Sequence, residues 1–330
     1  MPAIMTVGIP VRNGEAYIGS ALASLARQTF HDFEVCISDN ASTDNTVDIC
    51  RKFCSRDPRF VLHENPTNIG LFPNFRRVLE MARTPYFMWL AHDDYLGPAY
   101  LDTAIDRLKS DDSAVLFQTN VNVVTQDEEV LGLDIENEAL GSSDPVERFR
   151  SWIAKPVFSL EVFGVMRRDA LLQAGPIESF LGSDRVLLSR LILAGKFIYC
   201  QKRLFFNRDH LDRSCREHPR LVQRQGGPKW WIPPQARVYG GFVKAVRDTH
   251  LSFAERCRCW TALFRWWFIH WNGVRLLLDF PAHHFSSIAR LRWFLRRRVI
   301  KWDPKVYPIE LPRTSNKAPS GADIRSAKDS

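Results

Sequence analysis

The chain has 330 residues, of which 45% are hydrophobic and 25% charged; this is ordinary globular composition with enough length for one or two domains. Its seven cysteines show neither a disulfide framework nor the spacing of a structural zinc site, and its first residues lack a signal-peptide pattern, so reduced intracellular thiols are predicted. The net charge of +8 is concentrated near the C-terminus, so the basic character belongs to one region.

Strand-like and helix-like periods alternate over the first 120 residues. Helical stripes of apolar residues separate the predicted strands, which lie at 3–9, 33–38, 60–63, 86–90 and 114–118. This alternation predicts right-handed crossovers and a mostly parallel central sheet flanked by helices, which is an α/β fold.

The middle of the chain departs from this alternation. Residues 125–150 are acidic and polar, which predicts an excursion from the sheet. The pattern at 183–195 predicts a helix that ends at a glycine, and the segments 196–200 and 203–210 predict two short strands. Residues 220–235 predict a loop, after which helices rich in Trp and Arg are expected.

Short polar residues follow each of the first four predicted strands. Ligands of open parallel sheets gather at the carboxyl ends of the strands, so a binding site is expected at this edge. Asp39 follows the second strand, where a carboxylate can accept a hydrogen bond from a base N–H or a ribose hydroxyl. The surrounding sequence is equally good turn chemistry, so a purely structural role for Asp39 stays open.

The sequence AHDD at 91–94 places two carboxylates at the end of the fourth strand. A carboxylate next to a diphosphate needs a divalent cation between them, and Mg²⁺ or Mn²⁺ is commonly held by one or two carboxylates plus phosphate oxygens. We therefore predict that Asp93 binds a metal ion. Asp94 is expected to cap the helix that begins near Pro98, or to orient its surroundings.

In this order the motifs resemble the inverting GT-A glycosyltransferases of family 2, over roughly residues 4–210. The stretch VGIPVRNGEAYIGSALASLARQTFHDFEVCISDNASTDNT is similar to the nucleotide-binding half of that family. The resemblance implies a Rossmann-like GT-A fold and a nucleotide-diphosphate-sugar donor. It further implies that the donor is contacted by Pro10, Arg12, Asn13, Glu15, Asp39, Asn68 and Gly70.

One acidic position of the family's metal motif is missing in this chain. The family usually reads Asp-x-Asp followed by another Asp, and the first of these falls on Ala91. The resemblance implies that Asp93 is the direct metal ligand and that His210 completes the metal shell, although a surface position is the alternative for His210. His92 either replaces the lost acid in part, near the donor, or points back to the sheet. The implied cofactor is Mn²⁺ or Mg²⁺, and an imidazole ligand favours Mn²⁺.

The resemblance also implies the position of the catalytic base. Inversion is a single in-line displacement, so the acceptor hydroxyl must lose its proton as it attacks. The family's base corresponds to Asp184, which is often preceded by another acid where this chain has Ser183. Alternatively, Asp184 is only a carboxylate favoured by the helix N-terminus. Arg185 is predicted either to contact phosphate or to be solvated.

The C-terminal region is basic and aromatic. Residues 256–302 contain ten Lys or Arg, one acid and six of the ten Trp. The longest apolar stretch, 260–280, carries four ionisable side chains and is therefore a poor transmembrane span. Aromatic and basic helices suit an anionic membrane interface, but a helical subdomain that buries its Trp is the alternative. Nucleic acid is the weaker interpretation, because no recognition motif accompanies the charge.

These observations predict a domain layout. A GT-A domain is expected at 1–215, with a nucleotide-sugar half (1–120) and an acceptor half (121–215). A basic, aromatic, helical extension at 216–311 follows, and a disordered polar tail at 312–330 ends the chain.

The predicted function is metal-dependent, inverting transfer of a hexosyl unit from a nucleotide-diphosphate sugar to a glycan or lipid-linked acceptor, with Asp184 as base. The predicted location is the cytoplasm, in contact with the inner face of the membrane, and the predicted role is polysaccharide biosynthesis. The alternative is a weakly active or inactive protein that binds a sugar nucleotide or scaffolds a membrane assembly. A nucleotidyltransferase is less well supported, because the loop after the first strand is not glycine-rich. The sugar, the base and the acceptor stay open.

Overall fold

The computed structural model of the chain describes residues 3–125, 128–155, 159–210, 232–269 and 272–273. The predicted domain boundary at 215/216 and the predicted disordered tail at 312–330 lie outside these residues, as does most of the loop predicted at 220–235.

Four parallel strands form one half of the central sheet. They are β1 (Met5–Val11), β2 (Phe33–Asp39), β3 (Phe60–Glu64) and β4 (Tyr86–Trp89). They lie in the spatial order β3-β2-β1-β4 and are joined by α1 (Ile18–Ala26), α2 (Thr46–Cys54) and α3 (Leu71–Met81). Every residue of β1 and β4 is buried, as expected for strands covered on both faces. The predicted parallel arrangement is confirmed here, and it brings the loops after all four strands to one edge.

The second half of the sheet is mixed rather than parallel. Its strands are β5 (Tyr95–Leu96), β6 (Ala114–Val124), β7 (Val130–Leu133), β8 (Val165–Arg167) and β9 (Lys196–Arg208), and α4 (Tyr100–Ser110) precedes β6. β6 and β9 are parallel, whereas β8 runs antiparallel to both β4 and β6. The expectation of a mostly parallel sheet is therefore wrong in this half. After the excursion that follows β6, the chain re-enters the sheet from the side of the carboxyl ends of β4 and β6, so β8 runs antiparallel to both.

The two short strands predicted at 196–200 and 203–210 form one continuous strand, β9. The pairing of β6 with β9 passes from Thr119↔Cys200 to Asn120↔Arg203, so Gln201 and the residue after it are skipped. Two polar residues in an apolar run therefore mark a β-bulge and not a loop.

Among the described residues, five further α-helices follow α4: α5 (Pro145–Ala154), α6 (Arg168–Ala174), α7 (Ser183–Ala194), α8 (Pro234–Asp248) and α9 (Phe253–Trp266). The predicted helix at 183–195 is confirmed as α7. Phe242 of α8 and Leu263 of α9 belong to the same buried cluster as Leu187 of α7 and Trp152 of α5. The described part of the extension is thus helical, as predicted, and shares a core with the acceptor half. Within the described ranges, every helix is too short or too polar to cross a bilayer.

Candidate active site

The loops after β1 and β2 are bonded to each other through side chains. The Asn13 backbone N–H donates to Ser42 Oγ (2.9 Å), and Asn13 Oδ1 accepts from the backbone N–H of Thr43 (2.9 Å). Glu15 Oε2 accepts from both the backbone N–H and the side-chain amide of Asn45 (3.0 and 2.8 Å). Asn13 holds a left-handed φ of 51°, which asparagine tolerates better than most residues. Asn13 and Glu15, which are both predicted to contact the donor, therefore also fix the shape of these two loops. The loops form part of the rim of the predicted site.

Asp44 stabilises the contact between the same two loops. Its carboxylate accepts from the backbone N–H groups of Thr46 and Glu15 (both 3.1 Å). Burial raises the pKa of Asp44, but these hydrogen bonds outweigh it and the pKa is lowered. The other predicted residues of this first loop differ in exposure: Pro10 is buried within β1, whereas Arg12 is exposed.

Asp39 lies at the end of β2 with one carboxylate oxygen engaged. Oδ2 accepts from the backbone N–H of Ser42 (3.0 Å), which is the turn contact anticipated as an alternative. Oδ1 is buried and accepts no hydrogen bond from the described residues. A buried acceptor without a donor is unfavourable, so Oδ1 is suited to a donor supplied by a ligand.

Asn68 and Gly70 form the third part of the rim together with Asn40, which sequence inspection missed. Asn40 Nδ2 donates to Asn68 Oδ1 (2.9 Å), and Asn40 Oδ1 accepts from the backbone N–H of Ile69 (2.8 Å). Asn68 Oδ1 also accepts from the backbone N–H of Gly70 (2.9 Å), whose φ of 93° favours glycine. The signal that could have indicated Asn40 is its position directly after Asp39.

Asp93 and His210 meet at the carboxyl end of the sheet. Asp93 Oδ2 lies 2.9 Å from His210 Nε2, and both side chains are buried. The surface alternative for His210 is therefore wrong: β9 carries it inward beside Asp93. The two residues are 117 positions apart, and only the resemblance to a family linked them beforehand.

This pair fits a divalent cation. Two adjacent ligands on an octahedral ion with bonds of about 2.1 Å lie about 3 Å apart, which matches the separation of Asp93 Oδ2 and His210 Nε2. No cluster of three or more His, Cys, Asp or Glu side chains suited to a metal occurs in the described part of the chain. Donor phosphate oxygens and water would complete the coordination, as is usual for Mg²⁺ and Mn²⁺.

Asp94 has an orienting role. Its carboxylate accepts from Asn207 Nδ2 (3.0 and 3.1 Å) and from the backbone N–H of Arg208 (2.9 Å), so it holds the end of β9 against the metal motif. The expectation that Asp94 caps the next helix is wrong, because α4 begins after Ala99 without a side-chain cap.

Arg208 brings a positive charge to this site, which sequence inspection missed. Its guanidinium carbon lies 5.0 Å from the ring centre of Tyr17 and 5.5 Å from that of Tyr95. Its Nε donates to the backbone carbonyl of Asp93 (3.3 Å), and Tyr17 also packs against His210. Cation–π contacts of this kind fix the orientation of a guanidinium. The only sequence signal was an arginine two residues before His210.

His92 lies against the first loop. A Cβ atom on Gly14 would come within 2.6 Å of His92 Cδ2, so the absence of a side chain at residue 14 makes room for the ring. Burial lowers the pKa of His92, and the nearby Asp93 opposes this only in part, so the imidazole is predominantly neutral at neutral pH. The ring therefore lies beside the loop after β1, and the contact of His92 with the donor stays a prediction.

Asp184 lies in the first turn of α7, directly after Gly182 and Ser183. Gly182 has a φ of 90°, and a Cβ atom there would come within 2.8 Å of Val238 on α8. The protein surroundings raise the pKa of Asp184 mainly through burial, against the opposing backbone N–H and charge of Arg185. A carboxylate with a raised pKa is a stronger proton acceptor than a solvated one, as a general base requires.

Arg185 points toward the helices of the acceptor half. It is buried, its Nη2 donates to the backbone carbonyl of Lys155 (3.0 Å), and its guanidinium carbon lies 5.7 Å from the ring centre of Phe242. The alternative that Arg185 is solvated is wrong. Its predicted contact with phosphate stays a prediction.

A buried acid near Lys155 was also missed by sequence inspection. Glu161 is fully buried; its Oε1 is paired with Lys155 and accepts from the Tyr199 hydroxyl (3.2 Å). Burial and then repulsion by Glu161 raise the pKa of Tyr199 well above its ordinary value, which keeps this hydroxyl a donor. Oε2 of Glu161 has no hydrogen-bonding partner among the residues described.

The sequence profile described as "Glycosyl transferase family 2" matches residues 6–171, which is half of the chain and includes β1 through α6. The chain belongs to glycosyl transferase family 2. Asp39, Asp93 and the loops around them lie inside the matched region, whereas Asp184 and His210 lie beyond it.

Curated relatives of this family 2 chain match over short stretches. A chondroitin synthase of Pasteurella multocida is 32% identical over 121 residues, which is 36% of this chain and 12% of that protein. A PGL/p-HBAD biosynthesis glycosyltransferase of Mycobacterium bovis is 33% identical over 97 residues, or 29% of this chain and 38% of that protein. The matched stretches are thus well under two thirds of these relatives.

Solved structures share the fold over much more of this family 2 chain. Residues 1–349 of S. aureus TarS in complex with UDP-GlcNAc superpose with a TM-score of 0.61 at 16% identity, covering 91% of this chain and 88% of the TarS chain. A mannosyltransferase from Pyrobaculum calidifontis in complex with GDP-Man and Mn²⁺ gives a TM-score of 0.55 at 16% identity, covering 93% and 79%. The GT-A fold implied by the sequence resemblance is confirmed.

Proposed function

We propose that the protein is a metal-dependent, inverting glycosyltransferase that moves a hexosyl unit from a nucleotide-diphosphate sugar to a hydroxyl of a glycan or lipid-linked acceptor. The observation that carries this proposal is the Asp93–His210 pair, 2.9 Å apart, at the edge where the donor loops of a family 2 fold meet. The role in polysaccharide biosynthesis and the location at the cytoplasmic face of a membrane are part of the same proposal.

The donor's base is proposed to lie against Asp39. The free acceptor Oδ1 at the end of β2 suits an N–H of a nucleobase, and both uracil and guanine offer one. TarS was solved with UDP-GlcNAc and the Pyrobaculum enzyme with GDP-Man, so relatives of this fold use both bases. The hydrogen bonds among the loops of Asn13, Glu15 and Asn68 would keep this pocket shaped before the donor arrives.

The donor's diphosphate is proposed to lie between Asp93 and Arg208. A divalent cation held by Asp93 and His210 would supply positive charge to the diphosphate. Arg208 adds a fixed guanidinium, held between Tyr17 and Tyr95, on the same side. Positive groups that are fixed where negative charge develops lower the energy barrier to departure of the nucleoside diphosphate. Arg208 thereby offsets part of the stabilisation that is lost because residue 91 is an alanine and not an acid.

Asp184 is proposed as the general base on the acceptor side. The acceptor oxygen forms a bond to the anomeric carbon while the bond from that carbon to the diphosphate oxygen breaks, so the configuration inverts. The acceptor's proton passes to the Asp184 carboxylate, whose raised pKa favours this transfer. The buried Glu161 is paired with Lys155, whose backbone carbonyl accepts from Arg185, and this pair is proposed to support this side of the site.

A second candidate function rests on Ala91. Without the usual first acid, the chain could bind a sugar nucleotide tightly and turn it over little, acting as a binding or scaffold protein. This alternative shares the donor pocket but not the transfer.

A donor screen tests the proposal. The full-length chain, with Mn²⁺ or with Mg²⁺, is mixed with UDP-, GDP- and dTDP-sugars, and release of nucleoside diphosphate is followed over time. We expect slow release from one donor that stops when the metal is chelated. Binding of a donor without release, even after lipid-linked acceptors are added, would favour the scaffold alternative, and absence of binding to every donor would refute both.

A further inference from the structure

Helix α9 presents a continuous aromatic face to solvent. Phe253, Trp260, Phe264 and Phe268 are 84, 39, 67 and 73% exposed. They are seven, four and four residues apart, which places them on one side of the helix and its last turn, and Cys257 lies on the same side. The other large apolar side chains that are exposed in the described ranges are aliphatic and belong to other elements. We call this surface the aromatic face.

The aromatic face is held rigidly. The opposite side of α9 is buried in the core through Cys259, Ala262, Leu263 and Trp266. The helix start is fixed by a capping box, in which Ser252 Oγ accepts from the backbone N–H of Glu255 and the Glu255 carboxylate accepts from the backbone N–H of Ser252. Phe253, Trp260 and Phe264 are therefore presented by a helix anchored on its other side, and Phe268 lies in the turn that follows it.

The charge around this face is positive. Arg265 is exposed on α9, and Arg256 precedes it on the same helix; Arg258 also precedes it, but its charge is paired with Asp144. Glu255 is the acid of α9, and it is engaged in the capping box. The sequence then continues into a segment with one acid and seven further cations: Arg275, Arg290, Arg292, Arg296, Arg297, Arg298 and Lys301.

We infer that the aromatic face of α9 binds the interface of an anionic lipid bilayer. Aromatic rings partition to the boundary between headgroups and acyl chains, and clustered Lys and Arg add attraction to anionic headgroups. A second copy of the chain is the poorer occupant, because each copy of α9 brings an exposed Arg265 while its acid, Glu255, is engaged in the capping box. This docking surface deepens the membrane location included in the proposed function and rests on that part of it, whereas its test does not depend on glycosyl transfer.

Vesicle sedimentation tests the surface. The full-length protein is spun with phosphatidylcholine vesicles and with phosphatidylcholine–phosphatidylglycerol vesicles, and the bound fraction is measured. We expect binding to the anionic vesicles that weakens with added salt. The variant Phe264→Ser/Phe268→Ser should bind at least about tenfold more weakly, since each aromatic side chain contributes apolar area to the contact.

A matched control changes exposed apolar residues elsewhere. Leu172→Ser/Val130→Ser alters α6 and β7, where the side chains are 47 and 53% exposed, and should bind vesicles as the parent does. Both double variants should keep the parent's thermal transition and its release of nucleotide from a soluble donor, so this test stands apart from the donor screen.

Three results would overturn the inference. Equal binding of the parent to neutral and anionic vesicles would remove the role of charge. Unchanged binding of Phe264→Ser/Phe268→Ser would remove the role of the aromatic face. A parent dimer in light scattering that this variant converts to a monomer, with no lipid binding by either, would assign the face to self-association.

Discussion

In the nucleotide half, the loops bond to one another through side chains, and Asp39 Oδ1 and Arg59 Nη1 are buried polar atoms with no partner among the described residues; in the acceptor half, such atoms are more numerous. Asn13, Glu15 and Asn68 each complete a hydrogen bond to a neighbouring loop. In the acceptor half, Oε2 of Glu161 and Oγ of Ser183 are buried and have no hydrogen-bonding partner in the part of the chain that the structure describes. This difference supports the proposal of a donor pocket that is shaped in advance and of an acceptor side whose polar groups are available to a ligand.

The largest expected effect tests the acceptor side. Asp184→Asn should lower transfer to an acceptor by about 10²- to 10⁴-fold, because the amide cannot take the proton. Donor binding, measured by calorimetry, should be unchanged. Transfer by the parent should fall as the pH drops through a pKa above the ordinary aspartate range, since only the carboxylate is active and burial raises its pKa.

Stability separates this outcome from misfolding. A folded-state pKa raised above the unfolded value means that the ionised carboxylate costs the folded protein stability at neutral pH. The melting temperature of Asp184→Asn at neutral pH should therefore equal or exceed that of the parent. A variant that melts earlier, or one that retains full transfer, would contradict the assignment of Asp184 as base.

A smaller loss is expected on the donor side, where two adjacent acids should behave oppositely. Asp93→Asn should lower metal-dependent nucleotide release by about 100-fold and leave the melting temperature nearly unchanged. Asp94→Asn should instead lower the free energy of unfolding by about 1–3 kcal/mol, because its carboxylate anchors Asn207 and the backbone of Arg208. Denaturant titration and the release assay, applied to both variants, check this prediction. Loss of stability in Asp93→Asn together with loss of release in Asp94→Asn would refute the division of roles.

Changing Arg208, the cation that sequence inspection missed, is expected to affect nucleotide release less than the loss of Asp93. Arg208→Lys keeps the charge but loses the planar group that stacks between Tyr17 and Tyr95, so nucleotide release should fall by about tenfold. The metal concentration for half-maximal release should rise as well, because the two rings do not hold the lysine ammonium in a fixed position beside the diphosphate. An unchanged metal requirement and rate would show that Arg208 only packs against the two rings.

The last prediction concerns stability alone, at the contact between the start of α7 and α8. Gly182→Ala should lower the free energy of unfolding by about 1–3 kcal/mol, since residue 182 has a φ of 90° and its new methyl group would meet Val238. Gly240→Ala is the matched control: it lies within α8 with nothing within 4 Å of the added atom, and it should stabilise the protein by about 0.5–1 kcal/mol. Chemical denaturation of both variants checks the pair, and equal effects would contradict the strain at Gly182.

The sequence was most informative where the partners of a residue lie near one another in chain order. The loops of Asn13 and Thr43 are 30 residues apart and belong to neighbouring strands, so alternation of strand and helix sufficed to bring them together. Arg208 and Glu161 act on groups 115 and 38 residues away, across a mixed sheet whose pairing the periodicity did not reveal. The bulge in β9 hid the continuity of that strand for the same reason: pattern alone does not distinguish a skipped pair from a loop.

The position of Cys257 on the aromatic face has a practical consequence. Burial raises the pKa of Cys36 and of Cys50 to about 12 and that of Cys259 to about 11, so these thiols are almost entirely protonated and shielded at neutral pH. Cys257 is exposed one helical turn from Phe253 and close to Trp260. A maleimide fluorophore would therefore react at this position in preference to the buried thiols, and it would report the polarity around α9 directly in the natural sequence.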